Sequence, residues 1–127
     1  MKKILIAEDH MPVQKFISRK LQSDNFEIIS VFDGKAALEM LPTTKVDLLI
    51  TDLQMPNIDG VTLIKTVRAN SEYKELPILV LSGLENDEIL KAIDAGANSY
   101  LRKPFRADIL CNEVLNILLT KKMVNNK

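Results

Sequence analysis

The residues best suited to chemistry in this chain stand where short apolar segments end. Glu8 and Asp9 follow the run ILIA, and Asp52 follows the run LLIT. Ser82 directly follows the run ILVL, and Lys103 comes shortly after Ser99-Tyr100-Leu101. That last segment is more polar than the others, so we expect it to form a strand at the edge of a sheet. Clustered carboxylates need a cation, and Mg²⁺ is the ion that favours one or two carboxylates together with a phosphate oxygen. A hydroxyl and an ammonium group suit the holding of a phosphoryl group.

These residue types predict phosphoryl transfer to a carboxylate rather than the binding of a nucleotide. The sequence contains no glycine-rich P-loop that would cradle ATP. What remains is an acyl phosphate formed on a carboxylate nucleophile, and Asp52 is the most central candidate. Positioning and charge neutralisation supply most of the catalysis of phosphoryl transfer. A metal ion and Lys103 are therefore the types of group that this reaction needs.

The apolar segments read as strands that alternate with helices. Four-residue apolar runs such as Ile4–Ala7 are too short for helices and are typical of strands covered on both faces. Helical spacing follows each run, with Asp33 and Asp59 as candidate helix caps. The predicted strands are 2–7, 26–32, 46–51, 78–81 and 99–101. The first three predicted helices begin at Pro12, Gly34 and Gly60. The fourth is capped by Asn86 or Asp87, and the fifth extends from Arg106 to Lys122.

Five such alternations predict an α/β fold with a five-stranded parallel sheet, doubly wound by five helices. Ligands of such sheets bind beyond the carboxyl ends of the strands, at a topological switch point. The reactive groups end the first, third, fourth and fifth strands. They share one pocket if the strand order is 2-1-3-4-5. We therefore predict that order from the placement of the reactive residues, and not from the spacing of apolar residues along the chain.

Composition bounds the remaining possibilities. A chain of 127 residues predicts a single domain over 1–127 with a polar tail from about 122. Acidic and basic residues both number 17, so charge suggests neither a nucleic acid nor a membrane as partner. Cys111 has no second cysteine to pair with, and neither a signal peptide nor a membrane span is visible. We therefore expect a soluble cytoplasmic domain.

The pattern resembles the receiver domain of bacterial two-component response regulators, of the chemotaxis-regulator kind. The resemblance extends from Lys3 to about Leu119 and implies the flavodoxin-like receiver fold. It rests on five separated motifs: Glu8-Asp9, Asp52 with Met55-Pro56 and Asp59-Gly60 behind it, Ser82, Tyr100, and Lys103-Pro104-Phe105.

The resemblance implies a role for each acidic residue. Asp52 would accept a phosphoryl group from a phosphohistidine on a sensor histidine kinase or a histidine phosphotransfer protein. Asp9 and Asp52 would bind Mg²⁺ directly, the backbone carbonyl of Gln54 would be the third protein ligand, and Glu8 would act mostly through water. The chain would then be a signalling module in a phosphorelay and not a turnover enzyme.

The resemblance also implies a conformational switch. Lys103 would pair with the phosphoryl oxygens, Ser82 would swing toward them, and Tyr100 would turn inward behind it. The surface formed by the fourth helix, fifth strand and fifth helix would change and control a downstream protein target. A partner or homodimer surface there is a further expectation, since Cys111, Leu115 and Leu119 widen the apolar stripe of the last helix beyond what one covered face needs.

Several residues have simpler interpretations. Asp33 and Asp59 are expected to cap helices or to lie in solvated turns. His10 is expected to be an exposed loop residue and not a ligand, and Cys111 to be a small, unreactive helical hydrophobe.

Three other functions stay open. A phosphatase of the haloacid-dehalogenase type also uses an Asp nucleophile, but Asp52-Leu53-Gln54 lacks that family's second Asp. An inactive receiver would bind partners without modification, although Asp9, Asp52, Ser82 and Lys103 are all present. The chain could also be the receiver piece of a larger regulator or hybrid kinase, whereas its Met1 start and polar finish favour a stand-alone protein or an amino-terminal domain.

Overall fold

Strands and helices alternate through the chain. The computed structural model describes residues 1–83 and 85–125, with side chains up to Thr120. Short 3₁₀ turns, Leu41–Thr43 and Ser71–Tyr73, follow the second and third helices. In this part of the chain the strands are β1 (Lys3–Ala7), β2 (Glu27–Val31), β3 (Leu48–Asp52), β4 (Ile78–Ser82) and β5 (Ser99–Arg102), and the helices are α1 (Met11–Ser23), α2 (Gly34–Met40), α3 (Gly60–Ala69), α4 (Asn86–Ala95) and α5 (Ala107–Asn125).

The strands form one parallel sheet in the order β2-β1-β3-β4-β5. This order confirms the prediction made from the convergence of reactive groups. All carboxyl ends lie at one edge of the sheet, and β1, β3, β4 and β5 are consecutive neighbours. The short strand β5 lies at an edge of the sheet, as its more polar sequence predicted.

The core has two apolar layers, one on each face of the sheet. Successive residues of a strand point to opposite faces, so Ile4 and Ile6 of β1 join one layer and Leu5 joins the other. The first layer contains buried residues of α1 and α5, and the second contains those of α2, α3 and α4. Coverage on both faces explains why β1, β3 and β4 are nearly continuous runs of Ile, Leu and Val.

Two aspartates begin helices as predicted. The side chain of Asp33 accepts a hydrogen bond of 2.7 Å from the backbone N–H of Ala36, and that of Asp59 accepts one of 2.8 Å from Thr62. Each bond satisfies an N–H that the first turn of a helix leaves without a partner inside the helix. The two capping carboxylates therefore fix where α2 and α3 start.

Some predicted boundaries were wrong by a few residues. The N-cap of α4 is Glu85, which makes no side-chain capping bond, and not Asn86 or Asp87, because the helix begins one position earlier. Phe26 was placed in β2 but belongs to the turn after α1, where its N–H donates to the carbonyl of Leu21. Helix α5 continues to Asn125, beyond the predicted end, and residues 126–127 of the predicted tail lie outside the described residues.

No helix within residues 1–83 and 85–125 has the length and apolar character needed to cross a bilayer. This finding agrees with the sequence, in which charged residues interrupt every long apolar segment.

Gly60 lets α3 begin against the end of β3. A Cβ atom at Gly60 would meet the backbone oxygen of Asp52 and would lie 2.7 Å from the Cα of Leu53. Both contacts are with backbone, which cannot move aside as a flexible side chain could. The close approach therefore connects the helix start to the strand that carries Asp52.

We expect Gly60→Ala to lower the free energy of unfolding by about 2 kcal/mol, because the added methyl group overlaps backbone atoms. Gly83→Ala is the matched control, since its Cβ would find its nearest neighbour, the Cβ of Lys103, at 3.9 Å. Urea unfolding followed by circular dichroism measures both. Equal stability of the two variants would contradict the packing argument.

Candidate functional site

The strand order brings the predicted reactive residues together at the carboxyl edge of the sheet. Asp52 is the last residue of β3, and Ser82 is the last residue of β4. Glu8 and Asp9 follow β1 directly, and Lys103 follows β5. Four adjacent strands thus deliver three carboxylates, a hydroxyl and an ammonium group to one place.

The ammonium group of Lys103 joins two of the carboxylates. Its Nζ lies 2.7 Å from Oε1 of Glu8 and 3.0 Å from Oδ2 of Asp52, and each contact is a charge-assisted hydrogen bond. Glu8 is 1% exposed and Asp52 is 8% exposed. One positive charge therefore compensates two buried negative charges, and the cluster retains an excess of negative charge.

Burial and charge act on Glu8 in opposite directions. Burial raises the pKa of Glu8 above its usual 4.5, the hydrogen bond from Lys103 opposes that increase, and the nearby charge of Asp52 adds to it. The pKa of Lys103 is also raised: burial favours its neutral form, but its hydrogen bonds to Glu8 and Asp52 outweigh that effect. Lys103 is thus held firmly in its charged form.

Asp9 completes a group of three acids. One carboxylate oxygen from each of Glu8, Asp9 and Asp52 lies within 4.8 Å of the other two. Glu8 and Asp52 are buried and Asp9 is exposed, so the group opens to solvent on the side of Asp9. An all-oxygen set with excess negative charge fits a hard divalent cation such as Mg²⁺.

The second oxygen of Asp52 is fixed by the backbone. Oδ1 accepts a hydrogen bond of 2.7 Å from the N–H of Leu53 and lies 3.5 Å from the N–H of Gln54. Oδ2 contacts Lys103, so both oxygens have defined positions. Gln54 is exposed near the start of the loop that follows β3, and the role of its carbonyl as a metal ligand stays a prediction.

Ser82 and Tyr100 differ in exposure. Ser82 is fully buried, and its carbonyl accepts a 2.9 Å hydrogen bond from the N–H of Lys103. Tyr100 lies on the edge strand β5 and is 45% exposed. The structure therefore places Ser82 at the carboxyl end of the strand next to β3 and Tyr100 on the exposed edge strand, and their roles as switch residues stay predictions.

Two residues of reactive types, His10 and Cys111, lie outside the group formed by Glu8, Asp9 and Asp52. His10 is exposed, and its backbone N–H donates to Glu8 over 3.2 Å. Cys111 is partly buried, and burial together with a hydrogen bond to Asp24 raises the pKa of its thiol to about 11. A thiol with that pKa carries little thiolate at neutral pH, which agrees with the expected unreactive role.

Two polar residues that support the site were not predicted from the sequence. Gln14 is buried in α1, and its amide donates to the carbonyls of Glu8 and Val31 over 3.1 and 2.8 Å, which fixes the turn after β1. Asn57 adopts a left-handed backbone conformation with φ of 69° and donates a 2.7 Å hydrogen bond to Asp33. The Pro56-Asn57 dipeptide is a turn signal, but nothing in the sequence indicates the partner.

These observations define a class of protein: a doubly wound parallel α/β domain with a group of three acids and a lysine at the carboxyl ends of its strands. The family model of the response regulator receiver domain matches residues 4–115. The chain therefore belongs to the response regulator receiver domain family and acts in phosphorylation-based two-component signalling.

Individual relatives agree with this assignment. Chemotaxis protein CheY of Pseudomonas aeruginosa is 36% identical over 117 residues, which cover 91% of this chain and 94% of that protein. Sensor histidine kinase TmoS of Ectopseudomonas mendocina is 37% identical over 120 residues, but these cover 94% of this chain and only 12% of the kinase. The chain thus resembles both a short chemotaxis protein and one part of a long kinase.

A solved structure shows the same fold with a metal ion. The receiver domain of sensor histidine kinase PA1611 from Pseudomonas aeruginosa PAO1 matches with a TM-score of 0.85 and 28% identity, over 92% of this chain and 97% of that chain. In that crystal structure a magnesium ion is coordinated in the active site cleft. The acid group of Glu8, Asp9 and Asp52 in this chain is consistent with a magnesium site of this family.

The raised pKa of Glu8 predicts a specific dependence of stability on pH. Between 4.5 and that raised pKa, the folded state holds a proton at Glu8 that the unfolded chain has lost. The unfolding free energy contributed by this group therefore falls as pH rises through that window. Glu8→Gln cannot titrate and lacks the effect.

We expect the unfolding free energy of the wild type, minus that of Glu8→Gln, to decrease as pH rises above 4.5 in magnesium-free buffer. Urea unfolding at a series of pH values measures the difference. A difference that stays constant or increases over this range would contradict the assignment of a raised pKa to Glu8.

Proposed function

We propose that this chain is a phosphorylation-controlled signalling module in which Asp52 is the residue that accepts the phosphoryl group. The observation that carries the proposal is the position of Asp52, with one oxygen 3.0 Å from Nζ of Lys103 and the other held by the N–H of Leu53. A carboxylate fixed in this way beside two further acids has the charge environment that phosphoryl transfer needs.

The proposed step is an attack on the phosphorus atom of a phosphohistidine. A carboxylate oxygen of Asp52 forms the new bond to phosphorus, while the bond between phosphorus and the imidazole nitrogen of the donor breaks. The departing imidazole keeps the electron pair of that bond and takes a proton from solvent. Lys103 already contacts Asp52, so its charge lies where the transferred oxygens arrive.

The acid group supplies the ligands for a divalent cation. We assign Asp9 and Asp52 as direct ligands, the backbone carbonyl of Gln54 as the third protein ligand, and Glu8 as a partner that acts mostly through water. The deeper burial of Glu8 and its shorter ion pair with Lys103, 2.7 Å against 3.0 Å for Asp52, support this indirect role. Bound Mg²⁺ would neutralise negative charge on the oxygens of the phosphoryl group during transfer.

The proposed switch begins at Ser82 and Lys103. A dianionic phosphoryl group on Asp52 offers new acceptors for the hydroxyl of Ser82 and for Lys103, which would have to divide its hydrogen bonds differently. Tyr100, which is exposed on β5, would turn inward behind Ser82. Each movement changes the side of the domain formed by α4, β5 and α5.

That side is the proposed output surface. Tyr100, Leu115 and Leu119 are 45%, 49% and 57% exposed, and Leu90 of α4 is exposed as well. In contrast, Leu110 and Val114 of the same helix α5 are fully buried. The apolar excess that the sequence predicted is therefore at the surface, which supports contact with a downstream protein or a second copy of the chain.

The proposed donors are a sensor histidine kinase or a histidine phosphotransfer protein. The similarity to CheY supports a module that acts as a separate protein, whereas the similarity to TmoS supports a receiver within a larger kinase.

We propose no turnover enzyme, because Asp52-Leu53-Gln54 provides no second acid at the position that haloacid-dehalogenase-type phosphatases use as general acid.

Incubation with radiolabelled acetyl phosphate and Mg²⁺ tests the proposed function. We expect one label per chain in the wild type and no label in Asp52→Asn, because an amide is not a nucleophile for this reaction. Asp59→Asn is the matched control and should keep its label, since Asn retains the oxygen that caps α3 at this exposed position.

Other outcomes would contradict the proposal. Rapid multiple turnover of acetyl phosphate would indicate a phosphatase. Absence of label from the wild type would indicate a receiver that only binds partners, and label retained in Asp52→Asn would move the acceptor to another residue.

A further inference from the structure

The loop between β3 and α3, residues 53–59, follows Asp52 and contains Gln54. Both of its ends are held by hydrogen bonds. At the start, the N–H of Leu53 donates to Asp52, and at the end the N–H of Gly60 donates to the carbonyl of Leu53 over 2.9 Å. Asp59 then caps α3. These bonds fix where the loop leaves and rejoins the fold, but they do not fix its middle.

The middle of the loop is held from outside by the turn between β2 and α2. The side-chain amide of Asn57 donates a 2.7 Å hydrogen bond to Oδ2 of Asp33, and Oδ1 of the same carboxylate caps α2. These two hydrogen bonds lower the pKa of Asp33, so the acceptor remains charged. Gly34 approaches the loop so closely that a Cβ there would lie 2.7 Å from the carbonyl oxygen of Ile58.

Asn57 has the backbone conformation that this contact requires. Its φ is 69°, which glycine adopts freely and which asparagine tolerates better than most residues. The N–H of Ile58 donates to the carbonyl of Pro56 over 2.8 Å, so the chain turns sharply at Asn57. An asparagine at this position combines a tolerated left-handed turn with an amide that reaches Asp33.

We propose that Asn57 and Asp33 are positioning residues, which hold the loop so that Gln54 presents its backbone carbonyl to a divalent cation beside Asp9 and Asp52. Neither residue belongs to the acid group of Glu8, Asp9 and Asp52, so they act through the path of the backbone. This inference rests on the proposed function, because the metal role of Gln54 is part of that proposal.

An exposed hydrogen bond of this kind contributes little to the stability of the whole fold, since water competes for both partners. The effect of the same hydrogen bond on metal affinity is larger than its effect on stability, because partners that orient metal ligands commonly change metal affinity by about 10–100-fold. Asn57 is exposed and Asp33 is half-buried, so we expect an effect at the lower end of that range.

Isothermal titration calorimetry with Mg²⁺ alone tests the inference. Asn57→Gly preserves the left-handed conformation and the net charge but removes the amide that bonds to Asp33, and we expect about tenfold weaker Mg²⁺ binding. The matched control is Asn25→Gly: Asn25 also has a positive φ, 67°, and lies in the turn between α1 and β2 at the opposite edge of the sheet. It should bind Mg²⁺ like the wild type.

A rescue variant separates positioning from a general loss of structure. The exchange Asp33→Asn with Asn57→Asp keeps the net charge and restores an amide–carboxylate hydrogen bond with the two side chains reversed. Asn at position 33 retains an oxygen that can cap α2, and Asp tolerates the left-handed conformation. We expect Asn57→Asp alone, which sets two carboxylates against each other at this contact, to bind Mg²⁺ more weakly than the exchange, and the exchange to recover Mg²⁺ affinity to within about threefold of the wild type. Neither variant contains an added glycine, so the difference between them reports on the hydrogen bond and not on a loosened loop.

The outcomes distinguish this inference from the proposed function. If the wild type binds Mg²⁺ and is labelled by acetyl phosphate, but Asn57→Gly binds Mg²⁺ equally well, the inference is wrong and the proposed function stands. An exchange variant as weak as Asn57→Gly would also overturn the inference. If the wild type neither binds Mg²⁺ nor accepts label, both are wrong.

Discussion

The shared hydrogen bonds of Lys103 to Glu8 and Asp52 are the interaction on which the rest of the site depends. Two carboxylates that are almost completely buried would repel each other and lose hydration without a positive charge between them. Lys103 supplies that charge from β5, two strands away from β3 and three from β1. The site therefore exists only in the folded sheet, because its three charged partners are far apart in the sequence.

The sheet explains why those partners can meet. Parallel strands bring all carboxyl ends to one edge, and the order β2-β1-β3-β4-β5 makes neighbours of the strands that end in reactive residues. Strand β2 ends instead at Val31 and leads to Asp33, which serves α2 and the loop that contains Asn57. The outer strand thus contributes support for the site, and the inner strands contribute its reactive groups.

The sequence predicted the fold well because its strands are buried on both faces. Runs such as ILIA in β1 and ILVL in β4 have no polar face, which is characteristic of a parallel sheet. The reactive groups after those runs then indicated the strand order. Helix ends were less predictable: α4 begins after Glu85 without a side-chain cap, so no capping residue marks its start.

The residues that form the site could be predicted from the sequence, but the contacts between them could not. Residue types alone indicated Asp9, Asp52 and Lys103, but they did not show that Glu8 forms the shortest of the ion pairs with the lysine. Pairing between residues 95 positions apart leaves no local signal. The same reason hid the contact between Asn57 and Asp33, since a turn signal shows where the chain bends and not what the bend touches.

The most direct test of the central claim is the effect of Mg²⁺ on thermal stability. The excess negative charge of Glu8, Asp9 and Asp52 predicts that Mg²⁺ stabilises the folded state and so raises the melting temperature. At ten times its dissociation constant, Mg²⁺ would add about 1.4 kcal/mol to the free energy of unfolding. Asp9→Asn should lose most of this increase, whereas Asp94→Asn, exposed near the far end of α4, should keep it. A melting temperature that does not respond to Mg²⁺ in the wild type, or that rises equally in Asp9→Asn, would contradict the account.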